Sequence, residues 1–201
     1  MRVIQILPQL NIGGVERGTL DLSKALIEQG HESFVISGGG ILVDELIRSG
    51  AKHYEIPVHI KSLRTLYLAK SLSEKISSID PDIVHIRSRM PAWVNYRAFK
   101  MLKKKPLLIS TFHGLYSFPI YSKVMSFVDH SIAISKTVER YILENYRIDK
   151  DDITVIPRGC DPIEFNNDVI NPADKANIIE EFPQIVGKKV LTIPGRITKW
   201  K

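Results

Sequence analysis

Short apolar runs alternating with longer amphipathic segments constrain the fold of this chain most strongly. The runs are almost continuous in Val, Ile, Leu and Phe, as expected of strands that are buried on both faces. Parallel strands need a helical crossover between them, and the amphipathic segments supply it. Strands are predicted over residues 2–7, 34–36, 53–56, 83–86, 107–112, 131–134 and 153–156. The sequence therefore predicts an α/β fold, a Rossmann-like parallel sheet with helices on both faces.

The helical segments and the domain organisation follow from the same pattern. Helices are predicted over residues 15–29, 41–48, 62–77, 91–102, 121–128, 136–145 and 173–182. Residues 1–165 are expected to form one Rossmann-like domain, and residues 166–189 a linker with one helix. A further strand is predicted over residues 190–193. Because a lone strand needs a neighbour, residues 190–201 are assigned to the start of a second domain.

Several loops that carry glycine or cationic residues follow predicted strands. They include Gly13-Gly14, residues 37–40, residues 87–89, His113-Gly114 and Arg158-Gly159. The carboxyl ends of parallel strands meet at one edge of a sheet, so these loops should converge there and form a ligand site. The glycine pair suits a phosphate or another anion, because it opens the backbone N–H groups of a helix start. A tight turn without a ligand is the alternative.

Charge and composition restrict the partners and the location. The 201 residues contain 28 Lys and Arg against 22 Asp and Glu, and the pI of about 9.3 favours anionic partners. One cysteine, Cys160, excludes an internal disulfide framework, and Cys-x-x-Cys and His-x-x-x-His patterns of structural metal sites are missing. The sequence has neither the pattern of a signal peptide nor an apolar run long enough to span a bilayer. We therefore expect a cytoplasmic protein.

A basic, partly apolar segment suggests contact with a membrane surface. Lys61, Arg64 and Lys70 alternate with apolar residues, a pattern that suits docking on anionic lipid at the inner face of the cytoplasmic membrane. A helix packed on the core with solvated lysines is the alternative.

Taken together, the motifs resemble the two-domain GT-B glycosyltransferases of family GT4, which use nucleotide sugars. The resemblance rests on residues 13–17, 30–31, 82–85, 111–114, 132–135, 155–161 with Phe165, and 194–196 with Lys201. Residues 87–93 and 112–116 are similar to the bacterial branch that builds lipopolysaccharide core and related surface glycans. The expected function is thus a retaining glycosyltransferase of bacterial cell-envelope biosynthesis, with a glycan or lipid-linked acceptor.

The resemblance also assigns roles to residues on the donor side. It implies that Gly13 and Gly14 face the donor diphosphate and that His113, the expected catalytic residue, lies beside the transferred sugar. It implies that Arg196 and Lys201 grip the same diphosphate, so neither a metal nor a cofactor is expected.

Acceptor contacts are expected from the other loops of the rim. Arg87, Arg89 and Tyr116 suit the phosphates or carboxylates of an anionic glycolipid, with surface solvation as the alternative for the two arginines. Glu16 suits either an acceptor contact or a structural place in the first turn of a helix. His85 lies inside a strand, which favours a structural role.

Two departures from the family pattern stand out. The Glu-x7-Glu segment that holds the nucleotide and sugar would lie beyond Lys201, so this chain is expected to be the acceptor-side half of the enzyme and to transfer little or no sugar alone. In addition, Arg158 replaces the asparagine that is more usual in the family.

Three other classes of function compete with this one. A sugar-nucleotide epimerase on the same scaffold stays open, and acceptor-dependent product formation would separate it. A basic nucleic-acid-binding module suits the pI, but zinc-finger, RRM and basic-aromatic signatures are missing, so no nucleic-acid partner is expected. A nicotinamide-dependent dehydrogenase is excluded, because Gly-x-Gly-x-x-Gly is missing and Ser37 stands where an acidic residue is needed.

Overall fold

The chain divides into two compact units, Met1–Arg158 and Gly159–Lys201. A computed structural model describes residues 1–60, 65–116, 119–160, 162–163, 166 and 170–192, with the side chains of residues 65, 66 and 119 excepted. The first unit ends before the predicted boundary at residue 165 and holds the sheet.

Seven strands in the described part of the chain form one parallel sheet of order β3-β2-β1-β4-β5-β6-β7. The strands are β1 (Arg2–Ile6), β2 (Glu32–Ser37), β3 (Lys52–Glu55), β4 (Ile83–Ile86), β5 (Leu107–Phe112), β6 (His130–Ala133) and β7 (Ile153–Val155). The predicted α/β fold with a Rossmann-like parallel sheet is confirmed. The strand order reverses between the adjacent strands β1 and β4, and a ligand crevice forms at such a point.

The helices lie where the amphipathic pattern predicts them; α6 has the predicted boundaries, and those of the other helices are shifted. They are α1 (Gly14–Glu28), α2 (Val43–Arg48), α3 (Thr65–Ile79), α4 (Arg89–Met101), α5 (Pro119–Ser122), α6 (Lys136–Asn145) and α7 (Pro172–Glu181). The helix predicted over 121–128 is instead α5 followed by a 3₁₀ turn, Lys123–Ser126, whose Met125 carbonyl accepts a hydrogen bond from Ser110 Oγ at 2.8 Å. Among the described helices, none is both long and apolar enough to cross a membrane.

The two faces of the sheet differ in chemistry. In a parallel sheet, residues paired across strands point to the same face, and Ile4 pairs with Phe34 and Val84. These side chains belong to the large apolar core, which includes buried residues of α3 and α4. Gln5, one residue further on, pairs with His85 and contacts α1 on the opposite face. The sheet therefore has an apolar face under α3 and α4 and a partly polar face under α1.

A polar network joins that second face to α1. Gln5 is fully buried, and its Nε2 donates to the Thr19 carbonyl at 3.1 Å and to Ser23 Oγ at 2.9 Å. Ser33 Oγ of β2 also donates to Ser23 Oγ, at 3.0 Å. A small apolar cluster beside the network includes Leu20 and Leu46 and holds α1 and α2. Helix α1 is thus held on the sheet by polar and apolar contacts together.

The second unit is described by itself. Its helix α7 begins at Pro172, after Asn171 caps the Ala173 N–H at 3.0 Å. Residues 190–192 have no regular structure, so the strand predicted over 190–193 is not found there, and Ile193 lies outside the described residues. In this unit, the described residues offer no neighbouring strand whose N–H and C=O groups could pair with it.

Candidate active site

The glycine loop forms the start of α1, as the sequence predicts. Gly13 is the N-cap in extended conformation, with φ of 172° and ψ of 166°, and no described side chain caps the helix start. Glu16 lies in the first turn, and its carboxylate occupies the space that a Cβ at Gly13 would need. Negative charge is favoured at this end of a helix, which accounts for the carboxylate and suits an anionic ligand equally.

One guanidinium connects the glycine loop to His113. Arg158 follows β7, and its Nη1 donates to the Gly14 carbonyl at 2.5 Å. Its Nη2 lies 3.0 Å from His113 Nδ1, at the end of β5. Residues from three separate strand ends, β1, β5 and β7, therefore meet at one edge of the sheet. The structure brings His113 close to the glycine pair, as expected from the parallel topology.

His113 is partly buried in a cationic surrounding. Burial, together with the charges of Arg87 and Arg158, lowers the pKa of His113 from 6.5 to about 3. The ring is therefore neutral at physiological pH. Its Nε2 atom is buried and has no hydrogen-bond partner among the described residues. A buried polar atom without a partner is costly in a folded protein, so this atom is a candidate contact for a ligand.

Arg87 is buried rather than exposed at the rim where the sequence places it. Only 7% of the residue is accessible, because its side chain lies on the α1 face and Nη1 donates to Gln5 Oε1 at 2.8 Å. Its Nη2 lies above Gly18, where an added Cβ would be 3.2 Å away. Burial and the nearby Arg158 lower the pKa of Arg87 to about 10, although the negative charges of Asp21 and Glu16 act to raise it. Arg87 is thus a buried cation beside the glycine loop.

Arg89 and Tyr116 meet in a second, adjacent cluster. The Arg89 guanidinium lies 4.8 Å from the ring centre of Tyr116 and 5.6 Å from that of Tyr121. Burial raises the pKa of Tyr116, while a hydrogen bond with the His113 backbone and the charge of Arg89 oppose the change. Trp93 Nε1 donates to the Tyr121 carbonyl at 3.0 Å and ties α4 to this loop. The two predicted acceptor residues are therefore together, and Tyr116 also contacts the His113 backbone.

The remaining residues singled out in the sequence lie outside the clusters of His113 and Arg89, or outside the described residues. His85 is buried, and its Nε2 lies 2.7 Å from Thr111 Oγ1, the structural environment that the sequence favours. Burial, Arg87 and His113 hold the pKa of His85 well below its usual value. Arg196, Lys201, Lys61 and Arg64 lie outside the described residues. Within the part of the chain that is described, no group of three or more His, Cys, Asp or Glu side chains is placed to hold a metal ion.

Sequence reasoning missed Gln5 and the particular contacts that Arg158 makes in this site. Gln5 is a polar residue inside an otherwise apolar strand, and that pattern was the available signal for a buried partner. Arg158 is predicted at the rim because it follows a strand, but its two contacts join segments far apart in sequence. Neither contact follows from local pattern.

The neutral state of His113 predicts how stability depends on pH. Its pKa is lower in the folded than in the unfolded chain, so below about pH 6.5 the unfolded state binds a proton that the folded state rejects. The free energy of unfolding should therefore fall as the pH drops from about 6.5 toward 3, with His113 contributing up to about 1.4 kcal/mol per pH unit. His113→Asn should reduce this slope by the contribution of about one titrating proton. Urea unfolding at several pH values measures the change.

His31→Asn is the matched control, because His31 precedes β2 at the opposite edge of the sheet. The pKa of His85 is also lowered, but His85 is present in all three proteins, so the comparison isolates the contribution of His113. Equal slopes for His113→Asn and the unmodified chain would contradict the neutral buried ring.

Comparison with known proteins defines the class to which this fold belongs. The Rossmann-like sheet matches that of GT-B glycosyltransferases. The family model described as Glycosyltransferase Family 4 matches residues 12–164, well over half of the chain. The chain belongs to glycosyltransferase family 4, which confirms the resemblance seen in the sequence.

Three relatives set the extent of the similarity. A glycosyltransferase from Rickettsia africae ESF-5 is 36% identical with a TM-score of 0.79, over 100% of this chain and 54% of its own. A human phosphatidylinositol N-acetylglucosaminyltransferase subunit is 25% identical over 203 residues, 93% of this chain and 42% of its own. Anabaena Alr3699/HepE, in complex with UDP and glucose, is 14% identical with a TM-score of 0.70, over 89% and 49%, and shows the fold alone. The chain thus spans about half the length of these relatives.

Proposed function

We propose that this chain forms the acceptor-side half of a retaining glycosyltransferase. The enzyme would transfer a sugar from a nucleoside diphosphate sugar to a glycan or lipid-linked acceptor in bacterial cell-envelope biosynthesis. The relatives are about twice as long, so the activity is proposed for a protein of that length. By themselves, the 201 residues are expected to bind the donor weakly and to transfer little or no sugar.

The observation that carries this proposal is the grouping of anion-binding features at one edge of the sheet. The start of α1, which no described side chain caps, lies beside the guanidinium of Arg158 and close to that of Arg87. In sugar transfer, negative charge grows on the departing diphosphate, and fixed N–H donors and cations stabilise it without a metal ion. Arg196 and Lys201 are proposed to contact the same diphosphate.

His113 is proposed to contact the transferred sugar. It lies at the end of β5 and shares the Arg158 guanidinium with the glycine loop, so a ligand on the loop would be near its ring. Its Nε2, which has no hydrogen-bond partner in the described part of the chain, supplies a polar contact for a sugar hydroxyl. Because the ring is neutral, it provides this contact without adding another positive charge to the site.

The cluster of Arg89, Tyr116 and Tyr121 is proposed to bind the acceptor. Two aromatic rings hold the Arg89 guanidinium, and Nη1 lies 3.4 Å from Ser122 Oγ. A guanidinium held in this way is oriented to pair with a phosphate or carboxylate of an anionic glycolipid. Docking on an anionic membrane surface through Lys61, Arg64 and Lys70 is part of the same proposal.

Isothermal titration tests the donor site. We expect pyrophosphate, UDP and UDP-glucose to bind the chain with Kd values of about 1 mM, because only part of the donor is contacted. Binding should weaken with rising salt. Gly14→Val should weaken it at least about tenfold, a loss of about 1.4 kcal/mol, because its side chain would meet Arg158 Nη1, 2.6 Å from an added Cβ.

Gly30→Ala, at the far end of α1, is the control and should bind as the unmodified chain does. The absence of saturable binding for all three ligands would contradict the proposed diphosphate site. Product analysis by NMR in a protein of the relatives' length then separates the activities: a glycoside with retained anomeric configuration requires the acceptor, whereas an epimerised donor forms without one.

A further inference from the structure

We propose that Arg158 is a positioning residue that fixes His113 as the neutral tautomer with its proton on Nε2. The ring then offers a hydrogen-bond donor, not an acceptor, to the sugar in the site. This inference rests on the proposed function for the identity of the ligand, but the tautomer itself is a property of the protein alone.

The position of the guanidinium is set by two contacts. Ile156 N–H donates to the Ala133 carbonyl at 2.9 Å and continues the pairing of β7 with β6, so the backbone leading to Arg158 is held by the sheet. Nη1 is then fixed by the Gly14 carbonyl at 2.5 Å, and Nη2 faces His113 Nδ1 at 3.0 Å. A planar group held through both terminal nitrogens has one orientation, which a lysine ammonium could not reproduce.

The chemistry of arginine decides which ring nitrogen carries the proton. A guanidinium has only N–H donors and stays charged, so Nδ1 of His113 must accept through its lone pair. A neutral imidazole with an unprotonated Nδ1 carries its proton on Nε2. Nε2 is the atom that is buried without a partner among the described residues. The site therefore contains a buried N–H donor that an oxygen of a ligand would satisfy.

The surroundings of the ring favour the same state. Arg158 and Arg87 both oppose a positive ring, and the buried ring of His85 also interacts with His113. Tyr116 hydrogen-bonds with the His113 backbone, and Glu16 lies on the first turn of α1. Among these groups, only Arg158 has a hydrogen bond to a ring nitrogen of His113 in the described part of the chain. It is therefore the group that selects one tautomer.

The test is nitrogen NMR of the chain labelled with ¹⁵N-histidine, without any ligand. The sequence has six histidines, and His113→Gln identifies the signals of residue 113. In the unmodified chain, we expect the Nδ1 signal of an unprotonated nitrogen and the Nε2 signal of a protonated one, constant over about pH 5 to 8. Arg158→Asn should shift both signals toward values averaged over two tautomers, and His113 should begin to titrate at higher pH.

Two further variants keep the test decisive. Arg147→Asn removes an exposed arginine after α6 and should leave the His113 signals unchanged. Arg158→Lys keeps the charge but not the two-point contact, so it should retain the low pKa and lose the single tautomer; it also serves if Arg158→Asn does not fold. A wild-type ring protonated on Nδ1, or a single Nε2–H tautomer that persists in both Arg158 variants, would overturn the proposal.

The NMR result is independent of catalysis. A confirmed tautomer with no saturable binding of pyrophosphate, UDP or UDP-glucose would leave the role of Arg158 intact and remove the proposed donor site. Binding of UDP-glucose with an unchanged tautomer in the Arg158 variants would support the donor site and overturn the role of Arg158.

Discussion

Replacing Gln5 by leucine should lower the free energy of unfolding by about 3 kcal/mol, although the two side chains are similar in size. Gln5 Oε1 accepts a hydrogen bond from the buried Arg87. Gln5 Nε2 donates to the Thr19 carbonyl and to Ser23 Oγ of α1. Leucine would leave a buried cation without this acceptor and a helix carbonyl without this donor. Chemical denaturation of the variant, with circular dichroism to confirm the native fold, measures the loss.

Two comparisons test whether the lost hydrogen bonds of Gln5 cause the decrease in stability. Gln29→Leu, at the exposed C-cap of α1, should change the free energy of unfolding by less than about 0.5 kcal/mol. Gln5→Leu combined with Arg87→Leu should recover most of the stability, because removing both members of a buried polar pair is far less costly than removing one. A single Gln5→Leu variant as stable as the unmodified chain would show that Arg87 does not depend on Gln5.

Gly40→Ala should destabilise the first unit by about 3 kcal/mol, because backbone strain and steric overlap add. Gly40 has φ of 140°, which side-chain-bearing residues rarely adopt, and an added Cβ would overlap the carbonyl of Leu10. That backbone has little freedom to move, since Leu10 N–H donates to the Gly39 carbonyl at 2.7 Å and its own carbonyl accepts from Leu42 at 2.8 Å. Thermal and urea unfolding measure the effect.

Alanine variants at two other glycines distinguish the cost of backbone strain from the cost of steric overlap. Gly30 has φ of 77°, and a Cβ added there would meet no described atom within 4 Å, so Gly30→Ala should cost only about 1 kcal/mol. Gly114 has no positive φ, and a Cβ added there would have no neighbour within 4 Å among the described residues, so Gly114→Ala should change stability by less than about 0.5 kcal/mol. Equal losses for Gly40→Ala and Gly30→Ala would contradict the steric contact with Leu10.

The sequence predicts the architecture well because hydrophobic pattern and capping are local signals. β4, β5 and α6 have the predicted boundaries, and Ser135 caps the Val138 N–H of α6 at 3.2 Å, as expected. Helix α4 begins at Arg89 rather than Pro91, because the first N–H groups of a helix have no partner within it and proline is tolerated in the first turn.

The candidate site is predictable only in outline. The glycine pair and His113 follow strands, so their meeting is a consequence of parallel topology. The partners of the arginines are not predictable in this way, since Arg87 and Gln5 are 82 positions apart and Arg158 and Gly14 are 144 apart. A long flexible side chain can reach several acceptors, and only the packed structure shows which one it contacts.

The attachment of α1 to the sheet through Gln5 has a consequence for recognition at its amino end. A loop that is already ordered before a ligand arrives loses little conformational entropy on binding, so more of the interaction energy appears as affinity. If the amino end of α1 binds an anion as we propose, a Gln5 variant should therefore bind it more weakly, although the contacts of Gln5 with α1 lie at Thr19 and Ser23, beyond its first turn.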